Sequence, residues 1–504
     1  MSDILGYLFD RAHRGGWLDR PAVTDESTAA SFSHRDVYRA ARSLSGELAD
    51  VGCDAGDRVG LCVGDRAEWM VTFLACAAIG AVPVLVNPDL RAQTLAAQYE
   101  LCQADMVLDY DVQAIRLIRL GHGVTLGAWK LADLLEQPAD PAPASVLDSD
   151  VLYIQFSSGS TGAAKAITHK SSDLVHYFAA VAGPDRLALG LNDVIVSVSQ
   201  FYFAYGFNNQ FVYPLFAGAH VVVRPRRRSP QELADAVCAH RATLLFGVPS
   251  ALAGLPRPTI RSQTLRAVVS AGEPLPAVVE DRLRENWTVP VFDQIGCTEV
   301  GNAFCTNGFG YSAPRSTGPV CDGYKVEVRP SQKPHVVAMD KCSPHQVGEI
   351  WVSGPTIPRQ ARTATGTVPL LTDGWLPTRD YGYFDDSGAL VVLGRCDDIL
   401  LVGGICVSAV RVESEILASS IVRDAAVTTT IDDSGKSRLV AYIVPRDDIA
   451  QPPMSEEAFA GNLRIHLRDR VERYEMPKDF SIVTEIPRTP SGKVRRHMLG
   501  SANG

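Results

Sequence analysis

Short apolar runs alternate with segments of helical period through most of the chain, and this alternation limits the possible folds more than any other feature. RVGLCV at residues 58–63 precedes a helical-period segment at 66–80, and VPVLV follows at 82–86. The same order recurs between residues 220 and 248. Strands that alternate with helices are typical of βαβ units, in which helices cover parallel strands. The sequence therefore predicts an α/β protein.

One uncharged run, Trp69 to Val86, is about as long as a short membrane span. Gly80 and Pro83 interrupt the run, and the segment after them is rich in valine. Because such residues end helices and valine favours strands, we predict a buried helix followed by a buried strand. No membrane insertion is expected.

Length, charge and cysteine content narrow the function classes. At about 100 to 200 residues per domain, the 504 residues predict two to four domains or subdomains. The net charge of −9 repels phosphate backbones, so no nucleic acid partner is expected. The 11 cysteines form no C-x-x-C pair, which argues against a zinc site and fits a reducing cytoplasm. Asp3 and Asp10 lie where an export signal would be basic and apolar, so a cytoplasmic location is expected.

The segment VLYIQFSSGSTGAAKAITH at residues 151–169 carries the most chemical information. A five-residue apolar strand leads into small hydroxyl residues, two glycines and a lysine. Glycine lets backbone N–H groups approach phosphate oxygens, and lysine adds positive charge, so this pattern predicts a phosphate-binding loop. Ala164 and Ala166 exclude a Walker A loop, which needs Gly before the lysine and Ser or Thr after it. A flexible surface turn is the alternative. The candidate phosphate-binding residues are Ser157, Ser158, Gly159, Ser160, Thr161, Gly162 and Lys165.

This loop resembles the T-S-G-[ST]-T-G-x-P-K-G loop of the adenylate-forming superfamily, which includes acyl-CoA synthetases, nonribosomal adenylation domains and beetle luciferases. Five further segments resemble motifs of that superfamily in the same order, and together they extend over about two thirds of the chain. They are SAGEPLP at 270–276, QIGCTEVG at 294–301, WLPTRDYGY at 375–383, GRCDDILLVGGICVSAVRVE at 394–413 and IPRTPSGKVRRHML at 486–499.

The resemblance implies an enzyme that uses ATP and Mg²⁺ to convert a carboxylic acid into an acyl-adenylate, and then transfers the acyl group to a thiol. Carboxylate and ATP are both anionic, so such a site needs positive charge at the reacting phosphate. By resemblance, Lys493 bridges the carboxylate and the α-phosphate. Thr298 contacts the α-phosphate, and Glu299 holds Mg²⁺.

The same resemblance assigns the nucleoside and thiol positions. Asp380 accepts hydrogen bonds from the ribose hydroxyls, and Arg395 supports the same sugar. The other implied positions are Gly272 and Glu273 beside the adenine, Gly404 beside the pantetheine thiol, and Asp397 as the hinge. We accordingly expect a large N-terminal domain at residues 1–394 and a small, mobile α+β domain at 395–504.

Three segments resemble the benzoate-CoA ligase branch in particular: FYFAYGFNNQ at 201–210, LFGVPSALAGL at 245–255, and SAGE followed by IGCTE. The aromatic residues of the first segment could line a flat slot for an aromatic acid. Aromatic residues that pack the core are the alternative. The candidate acid-binding residues are Phe203, Ala204, Tyr205, Gly206 and Gly296.

Several positions depart from the superfamily pattern. Arg379 stands where glycine is usual, beside Asp380. After the hinge, Leu401, Gly403 and Ala409 replace the common Lys, Ser and Pro in the element that faces the thiol. The acceptor is therefore either coenzyme A or the phosphopantetheine of an acyl carrier protein.

We predict an AMP-forming acid-thiol ligase, monomeric or homodimeric, for a small-molecule carboxylic acid. An enzyme that loads a carrier protein, or activates a bulky polycyclic or aliphatic acid, is one alternative. A catalytically silent nucleotide-binding protein is another, although it would have no reason to retain Lys165, Glu299, Asp380 and Lys493. The arginines at residues 224–228 are predicted to form a solvated face, with contact to coenzyme A phosphates as the alternative.

Overall fold

A computed structural model describes residues 3–121, 123–136, 140–142, 147, 150–158, 164–258, 264–330, 341–402, 405–431, 437–446, 455–487 and 494–499. Two π-helical segments, Phe178–Ala182 and Asn208–Val212, extend short α-helices. The α-helices are α1 Ile4–Gly15, α2 His34–Asp50, α3 Ala67–Ala78, α4 Ala92–Cys102, α5 Leu131–Glu136, α6 Asp173–Tyr177, α7 Ala204–Phe207, α8 Tyr213–Ala217, α9 Pro230–Ala239, α10 Pro249–Ala253, α11 Ala277–Trp287, α12 Ala409–Leu417 and α13 Glu456–Leu467.

The strands alternate with these helices over the first 300 residues and then predominate. They are β1 Pro21–Asp25, β2 Ala30–Ser33, β3 Arg58–Cys62, β4 Val82–Leu85, β5 Met106–Asp111, β6 Ala114–Arg119, β7 Val124–Trp129, β8 Val151–Ser158, β9 Ala164–Lys170, β10 Val194–Ser197, β11 His220–Val223, β12 Leu244–Gly247, β13 Ala267–Ala271, β14 Val291–Cys297, β15 Asn302–Thr306, β16 Lys325–Arg329, β17 Gly348–Ser353, β18 Gln360–Thr363, β19 Gly366–Pro369, β20 Leu376–Phe384, β21 Leu390–Arg395, β22 Ile399–Val402, β23 Ile405–Ser408, β24 Val422–Ile431, β25 Ser437–Pro445 and β26 Asp479–Ile482.

Two large sheets with parallel centres form the framework of the N-terminal part. One has the order β15-β14-β13-β12-β10-β11-β1-β2, with antiparallel strands only at its two edges. The other has the order β19-β18-β9-β8-β4-β3-β5-β6-β7, and its parallel centre is β8-β4-β3-β5. A four-stranded antiparallel sheet, β16-β17-β20-β21, adds a third layer. The predicted α/β class is confirmed.

The uncharged run at residues 69–86 folds as predicted, with most of α3 in the core before β4 pairs between β3 and β8. Gly80, at a φ of 80°, makes the turn between helix and strand. Trp69 of α3 stacks on Phe201, with ring centroids 4.4 Å apart and an interplanar angle of 4°. Within the described ranges, no helix is both long and apolar enough to cross a membrane.

The smaller C-terminal part has its own core. A two-stranded sheet, β22-β23, and a three-stranded sheet, β24-β25-β26, pack with α12 and α13 around Val412, Ile416 and Leu463. Helix α13 begins at Glu456 because the Ser455 hydroxyl caps it by accepting a hydrogen bond from the Ala458 N–H, and it ends at Leu467.

Candidate active site

The predicted phosphate-binding loop begins inside a strand. Strand β8 is eight residues long, so it includes Ser157 and Ser158, where the sequence predicted a strand of five. The chain returns antiparallel as β9, which places Lys165 opposite Ser157. The Ser157 hydroxyl donates a hydrogen bond of 2.7 Å to Oε1 of Glu299. The remaining loop positions, Gly159, Ser160, Thr161 and Gly162, lie outside the described residues.

Thr298 and Glu299 occupy a tight turn between β14 and β15, and its backbone carbonyls are held from three directions. The Thr298 carbonyl lies 2.9 Å from Nε2 of His169. The Val300 carbonyl accepts from the Thr356 hydroxyl at 2.7 Å, and the Gly301 carbonyl accepts from Nδ2 of Asn208 at 2.6 Å. The two predicted catalytic residues therefore stand on a backbone that β9, the segment after α7 and the segment after β17 hold in place.

Sequence reasoning missed His169, Asn208 and Thr356. His169 is the last residue of the segment at 151–169, Asn208 lies in the aromatic segment at 201–210, and Thr356 follows WVSGP. None of these positions signals contact with the IGCTE segment. The approach of Asn208 depends on the π-helical segment Asn208–Val212, because an inserted residue changes the direction in which side chains point.

Asp380 and Arg395 face each other across strands β20 and β21. Nη1 of Arg395 lies 3.3 Å from Oδ1 of Asp380. Burial raises the pKa of Asp380 to about 6, and the Arg395 guanidinium opposes that effect by favouring the carboxylate. The negative charge of Glu299 also raises the pKa of Asp380, so the two carboxylates lie within electrostatic range of each other.

Arg379, beside Asp380, has a φ of 63°. This left-handed conformation favours glycine, the residue usual at this position in the superfamily. Nη2 of Arg379 lies 3.4 Å from Sγ of Cys396, in the turn that directly follows β21. The departure thus adds a side-chain contact at the cost of local backbone strain.

The predicted adenine-binding residues, Gly272 and Glu273, lie exposed after the end of β13. Gly272 has a φ of 92°, a left-handed backbone conformation that glycine adopts more readily than other residues. Oε2 of Glu273 accepts a hydrogen bond of 3.3 Å from the Ser250 N–H. These two residues are thus at the carboxyl edge of a central parallel strand, where ligands bind in open α/β sheets.

The aromatic segment divides between core and surface. Phe201 is fully buried against Trp69, so it packs the core, which is the alternative that the sequence left open. Phe203 is 48% exposed and directly precedes α7, which begins at Ala204. The Tyr205 hydroxyl donates to the Val269 carbonyl at 2.8 Å, which fixes its ring against β13.

The two glycines of the predicted acid site lie where backbones approach closely. A Cβ at Gly206 would overlap the Gln200 carbonyl, and one at Gly296 would overlap the Asn302 carbonyl. Gly206 therefore allows α7 to pack on the segment before it, and Gly296 allows the close β14–β15 pairing that precedes Thr298.

Asp65, which sequence reasoning did not single out, supports the aromatic segment. Its carboxylate accepts hydrogen bonds from the Phe201 N–H at 3.1 Å and from Nε2 of Gln210 at 3.3 Å. Burial raises the pKa of Asp65 to about 7, and these two donors oppose that effect. The segment that carries Phe203 and Tyr205 is therefore anchored at both of its ends.

The arginines at residues 224–228 do not form a uniformly solvated face, which corrects that prediction. The Arg228 side chain is 4% exposed, and its Nε lies 3.0 Å from Oε2 of Glu26. Nη2 of Arg224 lies 2.8 Å from Oε1 of Glu232. Since both guanidiniums have acidic partners, these two arginines serve the packing of β1, β11 and α9.

The hinge and thiol positions are only partly described. The backbone of Asp397 lies in a 3₁₀ turn, Cys396–Asp398, between β21 and β22. Its neighbour Asp398 accepts a hydrogen bond of 3.0 Å from Nη2 of Arg496. Gly404 and Lys493 lie outside the described residues, so their roles remain predictions.

Comparison with known proteins agrees with the motifs. A sequence model described as AMP-binding enzyme matches residues 9–360, and one described as AMP-binding enzyme C-terminal domain matches residues 411–493. The chain is 32% identical to the p-hydroxybenzoic acid–AMP ligase FadD22 of Mycobacterium marinum over 99% of this chain and 69% of that protein. It is 30% identical to the benzoate–CoA ligase of Thauera aromatica over 94% of this chain and 91% of that protein.

The fold is also that of solved structures. The anthranilate CoA ligase AuaEII, solved in complex with anthranoyl-AMP, superposes with a TM-score of 0.81 at 24% identity, covering 98% of this chain and 97% of that one. That structure has the same large N-terminal and smaller C-terminal arrangement. The matched family models and relatives show that this chain belongs to the AMP-binding enzyme family, the adenylate-forming superfamily, near its benzoate-CoA ligases.

Proposed function

We propose that this chain activates an aromatic carboxylic acid with ATP and Mg²⁺ and transfers the acyl group to the thiol of coenzyme A. The observation that carries the proposal is that Ser157 is hydrogen bonded to Glu299 and that the charge of Glu299 acts on Asp380, the partner of Arg395, although these residues lie on or beside strands of three different sheets. The relatives extend it to substrate class, since their names give p-hydroxybenzoate and benzoate as their acids.

In the first half-reaction, an oxygen of the acid attacks the α-phosphorus of ATP, and pyrophosphate leaves with the electron pair of the broken P–O bond. Lys493 would neutralise the charge that develops at the α-phosphate, and Thr298 would contact the same group. Ionised Asp380 would accept hydrogen bonds from the ribose hydroxyls. Its pKa of about 6 leaves it mainly ionised at neutral pH.

Glu299 suits a magnesium ion that is shared with nucleotide phosphates. No group of three or more His, Cys, Asp or Glu side chains that could hold a metal occurs among the residues that the structure describes. Mg²⁺ in nucleotide enzymes commonly takes one or two carboxylates and otherwise phosphate and water oxygens. When bound, the ion would neutralise phosphate charge. Ser157 would hold the Glu299 carboxylate in place for it.

The acceptor proposal is supported by a cavity of about 380 Å³ in the C-terminal part. Three cations, Arg438, Arg473 and Lys478, surround it together with Tyr474. Cationic side chains bind phosphates, and an aromatic face stacks on a base. A cavity of this chemistry suits the nucleotide end of coenzyme A, and Val402 beside it precedes the Gly404 element.

A carrier-bound phosphopantetheine is the second candidate acceptor. Two observations favour it: the departures at Leu401, Gly403 and Ala409 in the thiol-facing element, and the similarity to an AMP ligase. A carrier protein presents its thiol without the nucleotide, so it would not need the cationic cavity.

Pyrophosphate exchange into ATP, measured over a panel of aromatic, terpenoid and aliphatic acids, tests adenylation. Exchange that depends on Mg²⁺ and an aromatic acid is expected. Absence of exchange with every acid would contradict the proposal.

Arg473→Ala and Lys478→Ala then test the acceptor. Both substitutions should raise the KM for coenzyme A about tenfold and leave the KM for free phosphopantetheine unchanged. An unchanged coenzyme A KM favours the carrier protein.

A further inference from the structure

His169 and Tyr177 form a buried pair beside the Thr298–Glu299 turn, and the proposed reaction gives neither a role. Nε2 of His169 lies 2.9 Å from the Thr298 carbonyl oxygen, and Nδ1 lies 2.9 Å from the Tyr177 hydroxyl. His169 is 0% exposed and Tyr177 is 0% exposed. Buried polar groups of this kind are strongly constrained, because leaving one unpaired is costly.

The partners of His169 determine its protonation. Burial lowers the pKa of His169 to about 4, so the ring is neutral at physiological pH. A carbonyl oxygen only accepts, so Nε2 carries the hydrogen and donates to Thr298. Nδ1 is then the acceptor for the Tyr177 O–H. Oδ2 of Asp173 lies 3.9 Å from Nδ1, too far for a hydrogen bond, and instead accepts from the Lys170 N–H at 2.8 Å.

Tyr177 contacts the far end of the same turn. Gly301 has a φ of 77°, and a Cβ there would overlap the Tyr177 hydroxyl. The Tyr177 carbonyl accepts a hydrogen bond of 2.9 Å from Nδ2 of Asn302. The pair therefore touches the turn before Glu299, at Thr298, and after it, at Gly301 and Asn302.

We propose that His169 and Tyr177 are positioning residues that set the direction of Glu299 and Thr298 toward the nucleotide phosphates. This inference rests on the proposed function of that turn. With the Thr298 carbonyl fixed, the peptide that leads into Glu299 cannot rotate. The Glu299 carboxylate would then hold a metal ion without prior reordering, which is the condition under which a fixed charge acts most strongly.

Two substitutions at His169 separate hydrogen bonding from packing. His169→Leu fills similar space without a donor, whereas His169→Gln retains an N–H donor near the position of Nε2. Tyr177→Phe removes only the hydroxyl. His176→Leu, at an exposed position beside Tyr177, is the matched control.

The readouts are Mg²⁺-dependent binding of ATP, binding of AMP, the kcat of pyrophosphate exchange and Tm. His169→Leu should raise the Mg²⁺ concentration for half-maximal ATP binding about tenfold and lower kcat about 10- to 100-fold. AMP keeps the α-phosphate that Thr298 would contact but lacks the β- and γ-phosphates, so its affinity should fall less than that of ATP, by about threefold or less. In His169→Gln, the Mg²⁺ requirement and the kcat should both lie within about threefold of the wild-type values. In Tyr177→Phe, both should lie between the values of His169→Leu and those of wild type.

A lowered Tm with an unchanged Mg²⁺ requirement in His169→Leu or Tyr177→Phe would overturn the proposal, because it would assign the pair a purely structural role. If His169→Leu does not fold, Tyr177→Phe alone decides by the same criterion. If none of the tested acids supports pyrophosphate exchange by the wild-type enzyme, the proposed function fails. The Mg²⁺ dependence of ATP binding still tests the positioning role in that case.

Discussion

The proposed nucleotide side, around Glu299 and Asp380, and the proposed acceptor side, at the C-terminal cavity, hold their charged groups in different ways. Glu299 and Asp380 are tied to Ser157 and Arg395 and lie on or beside tightly hydrogen-bonded backbone. Arg473 and Lys478, at the C-terminal cavity, are exposed. Fixed charges stabilise a transition state because they need no reorganisation, whereas exposed charges mainly attract a ligand. We therefore expect the adenylation chemistry to depend on the first side and the choice of acceptor on the second.

Departures from the superfamily pattern occur on both sides but differ in kind. On the nucleotide side Ala164, Ala166 and Arg379 depart, while the residues that resemblance assigns to adenylation, including Glu299 and Asp380, are retained. The thiol-facing element itself differs at Leu401, Gly403 and Ala409. We therefore expect substitutions on the nucleotide side to affect adenylation and those beyond the hinge to affect thioester formation.

Lys493→Ala should give the largest effect, since it removes positive charge from a developing phosphate centre. Acyl-AMP formation should fall roughly 100- to 1000-fold, while synthetic acyl-AMP is still converted to thioester. Rapid-quench assays of the two half-reactions make this measurement. Equal losses in both would remove Lys493 from its assigned role.

Asp397→Pro, at the proposed hinge between the two sides, should separate adenylation from thioester formation. Proline fixes φ near −65° and removes an N–H, so it should trap one orientation of the C-terminal part. We expect adenylation within about tenfold of wild type and a loss of about 100-fold in thioester formation from acyl-AMP. Asp397→Ala, which leaves the backbone free, should keep both rates. A wild-type ratio of the two rates in Asp397→Pro would move the hinge elsewhere.

Glu299→Gln preserves the shape of the side chain but removes the anionic group that we propose as the metal ligand. Adenylation should fall about 10- to 100-fold and require more Mg²⁺, as measured by pyrophosphate exchange across a Mg²⁺ titration. Glu285→Gln, at an exposed position on α11, is the control and should leave the titration unchanged. A titration for Glu299→Gln that matches wild type would exclude Glu299 from the metal site.

For Asp380 we expect a smaller effect, a pH dependence of protein stability and of AMP affinity. Its pKa is about 6, above the ordinary value of 3.8, so the folded state retains a proton that the unfolded state has lost. Stability should therefore fall as pH rises from 4 to 6, by up to roughly 3 kcal/mol, and Asp380→Asn should lack this component. AMP affinity should weaken below pH 6 as the carboxylate is protonated. Calorimetry from pH 4 to 8 measures both, and identical pH profiles in wild type and Asp380→Asn would contradict the assignment.

The features that could be predicted from the sequence are those that local pattern and motif spacing determine. The α3–β4 run folded as expected because its burial follows from its own composition. Facing positions of Asp380 and Arg395 agree with the motifs, since both lie on paired strands of one sheet. Phe201 could not be assigned in the same way, because its burial depends on Trp69, distant in sequence.

The contacts of the Thr298–Glu299 turn were also beyond sequence reasoning. His169 precedes Thr298 by more than a hundred residues, and Asn208 approaches Gly301 only through a π-helical insertion. Long-range hydrogen bonds of this kind leave no periodic pattern, so only the folded chain reveals them. The same holds for the burial of Arg228, which an arginine-rich run does not suggest.

Pyrophosphate exchange into ATP without any thiol is the decisive measurement, because it isolates the proposed nucleotide side from the proposed acceptor side. We expect Mg²⁺-dependent exchange with an aromatic acid in wild type and an unchanged rate in Lys478→Ala, which alters only the cavity. Exchange that requires coenzyme A, or that falls in Lys478→Ala as it does in Glu299→Gln, would contradict the division between the two sides.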